Sequence, residues 1–265
     1  REGLPIKLEG NPDSPFNQGG LHPMGFGSIL NLYDPDRLKD PVDMKKPKGT
    51  NKISFADTDE IIGKLIKSNE KIAIVSKTHH SPSLLKLEGV LSSEFKNVSF
   101  ARYDAGKNSN EEIASKITFG TARKAFYRLD RAKFILAIEN DLLGSHPFNV
   151  YHTKEFSKNR DLSKQNEMNQ LVSIESNLTN TGMSADLRIP LSPSHQKLFM
   201  LGLLSELCEQ SPAKFPTSLR LSLNAYKSQS VATKIGVDVT ILAKIASKLL
   251  SVGKESLVAV GDSCS

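Results

Sequence analysis

Residues 72–103 decide the fold class: Ile72-Ala73-Ile74-Val75, a break at Ser76-Lys77-Thr78-His79-His80, then Ser81-Pro82 opening an apolar-periodic run to Phe95, then Val98-Ser99-Phe100-Ala101-Arg102-Tyr103. A short unbroken apolar run marks a strand buried on both faces. Ser81 suits a helix cap and Pro82 the first helical position, where its missing N–H costs nothing. The stretch therefore predicts strand, helix, strand.

The same alternation extends outward. Asp57 or Thr58 can cap a helix carrying Ile61, Ile62, Leu65 and Ile66 at helical spacing. Helices are predicted over 110–119, 151–160, 194–208 and 238–250, and strands over 134–138, 171–175 and 257–260. Leu219, Leu221 and Leu223 alternate as in a half-buried strand, with helix as the other reading. Strands alternating with helices predict an α/β, Rossmann-like fold with a mainly parallel sheet flanked by helices. The first fifty residues, rich in Gly and Pro, read as an irregular arm with one hairpin near Gly3-Leu4-Pro5 and a short helix in 24–34.

Bulk composition excludes several classes. The 265 residues are 38% hydrophobic and 24% charged, ordinary for a globular chain. No run approaches the length a membrane helix needs; Leu198 to Leu207 is too short and carries Ser205 and Glu206. The net charge is +6, yet the one compact basic cluster, Lys45, Lys46 and Lys48, lacks interleaved aromatics, so nucleic acid is not expected as a partner. Cys208 and Cys264 form no CxxC pair. His79-His80 lack a sequence-near carboxylate, and His146 and His152 have no helical or zinc-type spacing.

Lys7 to Asp13, Asn17-Gln18-Gly19-Gly20-Leu21 and Leu32 to Leu38 resemble the N-terminal signature of the molybdopterin oxidoreductase family. Ala185 to Leu191 and Gly236 to Val260 resemble later segments of that family, in the same order. The resemblance implies a hairpin arm over 1–50, a first α/β unit made of 51–125 plus 225–265, and an inserted α/β unit over 126–224. It implies that 71–76 and 257–260 lie in one parallel sheet, and that the chain is part of a longer protein.

The departures bear on function. His22 stands where the family places an iron–sulfur cysteine, so no metal site is expected in this region. Glu139-Asn140-Asp141 replaces a Gly-x-Asn turn that approaches the cofactor pyrophosphate. Glu175-Ser176-Asn177 replaces Asp-Pro-Arg, and Pro193-Ser194-His195-Gln196 replaces the guanine-reading Pro-Gly-Thr-Asp. Glu139, Asp141, Glu175, Ser194 and Gln196 thus mark a degenerate cofactor groove, expected to be acidic and closed by side chains.

Ile138 to Ser145, with Tyr151, Lys154, Glu155 and Phe156, resembles the cofactor-free version of the fold in the iron–sulfur subunit of bacterial alternative complex III. That implies a non-catalytic domain of a quinol-oxidising complex on the periplasmic face of the membrane. Its partners would be other subunits, and iron–sulfur clusters would sit elsewhere in the parent protein. The alternatives are a fragment of a true molybdopterin enzyme gripped by parts outside this stretch, and a small-molecule-binding α/β domain near His79.

Overall fold

The computed structural model describes residues 3–47, 51–79, 81–105, 110–164 and 166–261. Contacts divide the chain into two compact units, Gly27–Lys107 and the remainder. His80, Lys48 and Cys264 lie outside the described residues.

The arm holds one short helix, α1 (Pro23–Gly27), continued by a 3-10 turn at Ser28–Leu32. Among the described residues the expected hairpin is not formed: residues 5–11 carry no strand pairing, and the isolated bridge joins Val42 to Lys52. Pro5 explains part of this, since it removes a ladder donor. Residues of the arm pack on later structure. Phe16 stacks on Phe148 with centroids 6.0 Å apart, and Lys154 Nζ donates to the Gln18 carbonyl at 3.2 Å.

In the Gly27–Lys107 unit, α2 (Phe55–Lys67) is capped by Ser54, not by Asp57 or Thr58. Ser54 Oγ accepts the Asp57 N–H at 3.0 Å while Asp57 accepts the Ser54 N–H at 3.3 Å, a capping box that satisfies two end donors. Strands β1 (Ile72–Ser76) and β2 (Val98–Arg102) pair in parallel, Ile72 opposite Val98, with α3 (Pro82–Glu94) between them in sequence. Asn97 Nδ2 donates to the carbonyls of Ile66, Ser68 and Glu70 at 2.8–3.3 Å, fixing the turn that leads into β1. The reading of β1 as buried on both faces is corrected: Val75 is 66% exposed. A two-stranded sheet cannot enclose its own strands, whatever their apolar content.

The second unit adds α4 (Asn110–Phe119), β3 (Phe134–Ile138), α5 (Asn149–Lys158), β4 (Gln170–Glu175), α6 (Asn180–Met183), β5 (Leu187–Pro190), α7 (Pro193–Gln210), α8 (Thr217–Ser222), α9 (Ser228–Ile235), α10 (Val239–Val252) and β6 (Ser256–Val260). Among the described residues its four strands are all parallel, in the order β5-β4-β3-β6. The central β3 is buried along its whole length. Phe134, Leu136 and Ile138 join a core with α7, α9 and α10, while Ile135 and Ala137 join Leu129, Leu142 and Phe156 on the other side. Gly202 lets α7 and α9 approach, since a Cβ there would lie 2.8 Å from Val231.

Three further expectations are corrected. Strand 257–260 pairs with β3, and 71–76 lies in the separate β1–β2 sheet. The apolar β6 finds its register against the fully buried β3, Leu136 opposite Val258, so the expected grouping of 225–265 with 51–125 gives way to one with β3 and β4. Leu219, Leu221 and Leu223 lie on and just after helix α8, where Leu219 and Leu223 share a face at i, i+4 and Leu221 is exposed.

Candidate functional site

In open parallel sheets, ligands bind beyond the carboxyl ends of the strands, where the connections reverse direction. Here the chain leaves β3 toward β4 on one side, and β6 lies on the other. The Gly261 N–H donates to the Ile138 carbonyl at 2.9 Å, and Asn140 Nδ2 to the Val260 carbonyl at 3.3 Å. A Cβ on Gly261 would fall 1.8 Å from the Glu139 carbonyl oxygen. Backbone therefore closes on backbone at this end of β3 and β6.

Glu139 is the first residue past β3 and sits at φ +45°, where an L side chain costs about 1–2 kcal/mol. Its carboxylate accepts the Ser176 amide at 2.9 Å and the Ser176 hydroxyl at 2.5 Å, and also the Gln196 side-chain amide. One carboxylate thus joins the ends of β3 and β4 to the first turn of α7.

Asp141 binds the other side of the same loop. It accepts the Thr181 amide at 3.1 Å, the Thr181 hydroxyl at 2.8 Å and the Ser145 amide at 2.7 Å. Burial works to raise its pKa, but the Thr181 hydroxyl and the Thr181 and Ser145 amides outweigh this and hold it below the usual carboxylate range.

Glu175 closes β4. It is 3% exposed and accepts Thr179 Oγ1 at 2.6 Å, the Thr179 amide at 3.3 Å and Arg188 Nε at 2.6 Å. Gly182 makes room for it, because a Cβ there would lie 1.8 Å from the carboxylate.

Of the five groove positions read from sequence, the structure brings Glu139 and Gln196 into direct contact and sets Asp141 and Glu175 at neighbouring strand ends. Ser194 does not join them: it is exposed, with its hydroxyl 3.0 Å from that of Ser192. The acids do not open into an acidic crevice lined with Ser194; each is turned onto N–H and O–H donors of the protein. Their chemistry is acceptor chemistry, and the amides of Ser145, Ser176, Thr179 and Thr181, of the kind that hold phosphate oxygens, are already taken.

The histidines form local structure. His22 Nδ1 accepts the Met24 N–H at 3.1 Å, capping the turn into α1. Among the described residues no group of three His, Cys, Asp or Glu side chains could hold a metal. His79 does have a carboxylate partner, contrary to the sequence reading: α3 brings Glu88 to 2.8 Å, and Arg102 completes the chain at 2.5 Å.

The spacing of His146 and His152 fits neither a helical pair nor a zinc motif, yet their rings lie 4.6 Å apart among Phe126, Tyr127 and Phe148. His152 Nδ1 faces the Leu142 carbonyl at 3.2 Å, and Nε2 is buried with no hydrogen-bond partner among the described residues. The clustering of aromatics at 126–127 and 148–151 was the available signal for this nest. A separate open groove of about 1040 Å³ runs along the amino edge of the sheet, past Lys133, Asn169, Gln170, Asp186 and Glu255.

No family model matches the chain. Its fold is of the molybdopterin type: acetylene hydratase from Pelobacter acetylenicus superposes with a TM-score of 0.63 and 19% identity, over 94% of this chain and 36% of that one. In sequence the chain is 24% identical, over 98% of its length, to the menaquinone reductase, molybdopterin-binding-like subunit of Nitratidesulfovibrio vulgaris. It spans 38% of that relative's length. The resemblance to the molybdopterin oxidoreductases therefore holds along the chain, in sequence and in fold.

Proposed function

We propose that this region is a structural domain that keeps the molybdopterin-type fold and has given up its cofactor. The observation that carries the reading is the Glu139 carboxylate seated on the Ser176 amide and the Gln196 side chain. A pyrophosphate needs unoccupied backbone donors and positive potential at that turn. Glu139 and Asp141 supply negative charge and consume the donors. Two unit charges about 4 Å apart repel by roughly 4 kcal/mol at intermediate dielectric, before any steric cost. The residues present do not fit the group, and no chemical step is assigned to it.

The parent would be a subunit of a quinone-linked electron-transfer complex. The relative's name supports this, since it pairs a molybdopterin-binding-like subunit with menaquinone reduction. The alternative complex III resemblance points to the same class of membrane-bound assembly, with the domain on its periplasmic face and iron–sulfur clusters in other parts. No helix among the described residues is long and apolar enough to cross a membrane. Molybdenum and pterin assays on protein purified from its own host test the reading. It predicts neither in this region, and one pterin dinucleotide per chain held at the β3 carboxyl end would overturn it.

A further inference from the structure

The sheet of β3 to β6 has a second edge, opposite the one that carries Glu139, and a groove of about 1040 Å³ crosses it. Its lining includes the residues that precede all four strands: Lys133 before β3, Asn169 before β4, Asp186 before β5 and Glu255 before β6. Three inter-strand spacings span about 14 Å, the reach of about four extended residues. The backbone at these strand starts is paired. The Gln170 N–H donates to the Lys133 carbonyl at 2.8 Å, the Lys133 N–H to the Glu255 carbonyl at 2.9 Å, and the Leu171 N–H to Asp186 Oδ2 at 2.7 Å. Anything held here is therefore held by side chains.

Asn169 is fixed at three of its four polar atoms. Arg160 donates to its Oδ1 at 3.0 Å and to its carbonyl at 3.2 Å, and its own N–H donates to the Asn159 carbonyl at 3.1 Å. Nδ2 remains, buried with no hydrogen-bond partner among the described residues, in a groove-lining residue that is 5% exposed. Arg160 sets this orientation, because a flipped amide would point N–H groups at a guanidinium that accepts nothing. A buried amide donor that lacks an acceptor is rare in a folded chain.

Charge selects the class of acceptor. Three lining acids are already paired, Asp130 with Arg128, Asp186 with Arg160 and Glu255 with Lys133, at 2.5–2.7 Å. Arg131, Lys248 and Lys254 also line the groove, are exposed, and have no ion-pair partner among the described residues; Glu167 is the one lining acid in the same position. The uncompensated charge of the groove is thus positive. We propose that the groove binds an extended acidic segment of a partner polypeptide. A main-chain carbonyl of the segment accepts from Asn169 Nδ2, and its carboxylates meet Arg131, Lys248 and Lys254. A single small anion would occupy one part of a groove that crosses four strands. A bilayer surface would reach the exposed cations but not the Asn169 amide. The inference is independent of the cofactor's fate, which concerns the opposite edge of the sheet.

Fluorescence anisotropy of a labelled hexaglutamate peptide, titrated with the full-length protein, tests the groove. Lys248→Glu with Lys254→Glu should weaken binding at least about tenfold, as should raising the salt from about 50 to about 300 mM. Lys197→Glu with Lys234→Glu makes the same change of charge at exposed positions outside the groove and should alter binding less than about twofold. On addition of the peptide, the side-chain amide signal of Asn169 should move in protein labelled with nitrogen-15 at asparagine. In the complex isolated from its host, carbodiimide should join Lys248 or Lys254 to Asp or Glu of another polypeptide. Equal weakening by the two lysine pairs, equal binding of citrate, a still Asn169 signal, phosphatidylglycerol vesicles binding in place of the peptide, or cross-links confined to this polypeptide would each overturn the proposal.

Discussion

Glu139, one residue past β3, and Ser176, one residue past β4, are joined twice: the carboxylate accepts the serine amide at 2.9 Å and the hydroxyl at 2.5 Å. The three sequence departures at 139, 176 and 196 are thus one hydrogen-bonded network and not three separate losses. Glu139→Gln keeps the side-chain length but puts an amide against donors. It should lower stability by about 1–2 kcal/mol, read as a shift in the urea midpoint at unchanged slope. Glu139→Ala should cost more, because it keeps the backbone strain and removes the acceptor of the Ser176 amide and hydroxyl.

The buried end of β4 gives a second prediction. Glu175→Ala removes the partner of Arg188 and of Thr179, and should cost about 3 kcal/mol, the lower end for breaking a buried pair, because Arg188 keeps some access to water. Gly182→Ala should cost about 1–3 kcal/mol by pressing a methyl group into the same carboxylate. In the double variant the two costs should fall short of their sum, since both act through Glu175.

Acid sensitivity should arise in the His146–His152 nest. Burial, the neighbouring His152 and Lys124 push His146 down to about 4, with Asp141 opposing, and burial lowers His152 as well. A lowered folded pKa means that the unfolded chain takes up protons first. The stability is present above about pH 6.5 and is lost as pH falls toward about 4. Urea midpoints should drop between pH 7 and pH 5, and His146→Phe should flatten that slope. A midpoint flat over this range in the wild type would contradict the account. The loss tied to Asp141 belongs below the ordinary carboxylate range and should appear as a later, separate decline.

These predictions separate what was legible in the sequence from what was not. Ile72–Val75 and Phe134–Ile138 carry the same apolar signal, yet β3 is enclosed and β1 is half bare. Burial depends on how many strands and helices a strand gathers, which no local run encodes. The position of β6 beside β3 is likewise a choice among apolar strands with equivalent patterns. At the site, a carboxylate at Glu139 where the resembling family carries a glycine was readable, and the proposed loss of the cofactor builds on it. Its compensation was not, because Ser176 and Gln196 are 37 and 57 residues away and meet it only in the fold. Ser194, next but one to Gln196, points out of the network because successive positions on a helix turn by about 100°.

The most direct measurement is a calorimetric titration of a guanine dinucleotide into the wild-type chain and into the Glu139→Gly, Asp141→Asn double variant. The account predicts no binding by the wild type. It predicts weak, millimolar-range anion binding by the variant, whose Ser176 amide is released and whose loop has lost two carboxylate charges. Micromolar binding by the wild type, abolished by excess pyrophosphate, would contradict the claim that the chain's own carboxylates occupy the cofactor's place.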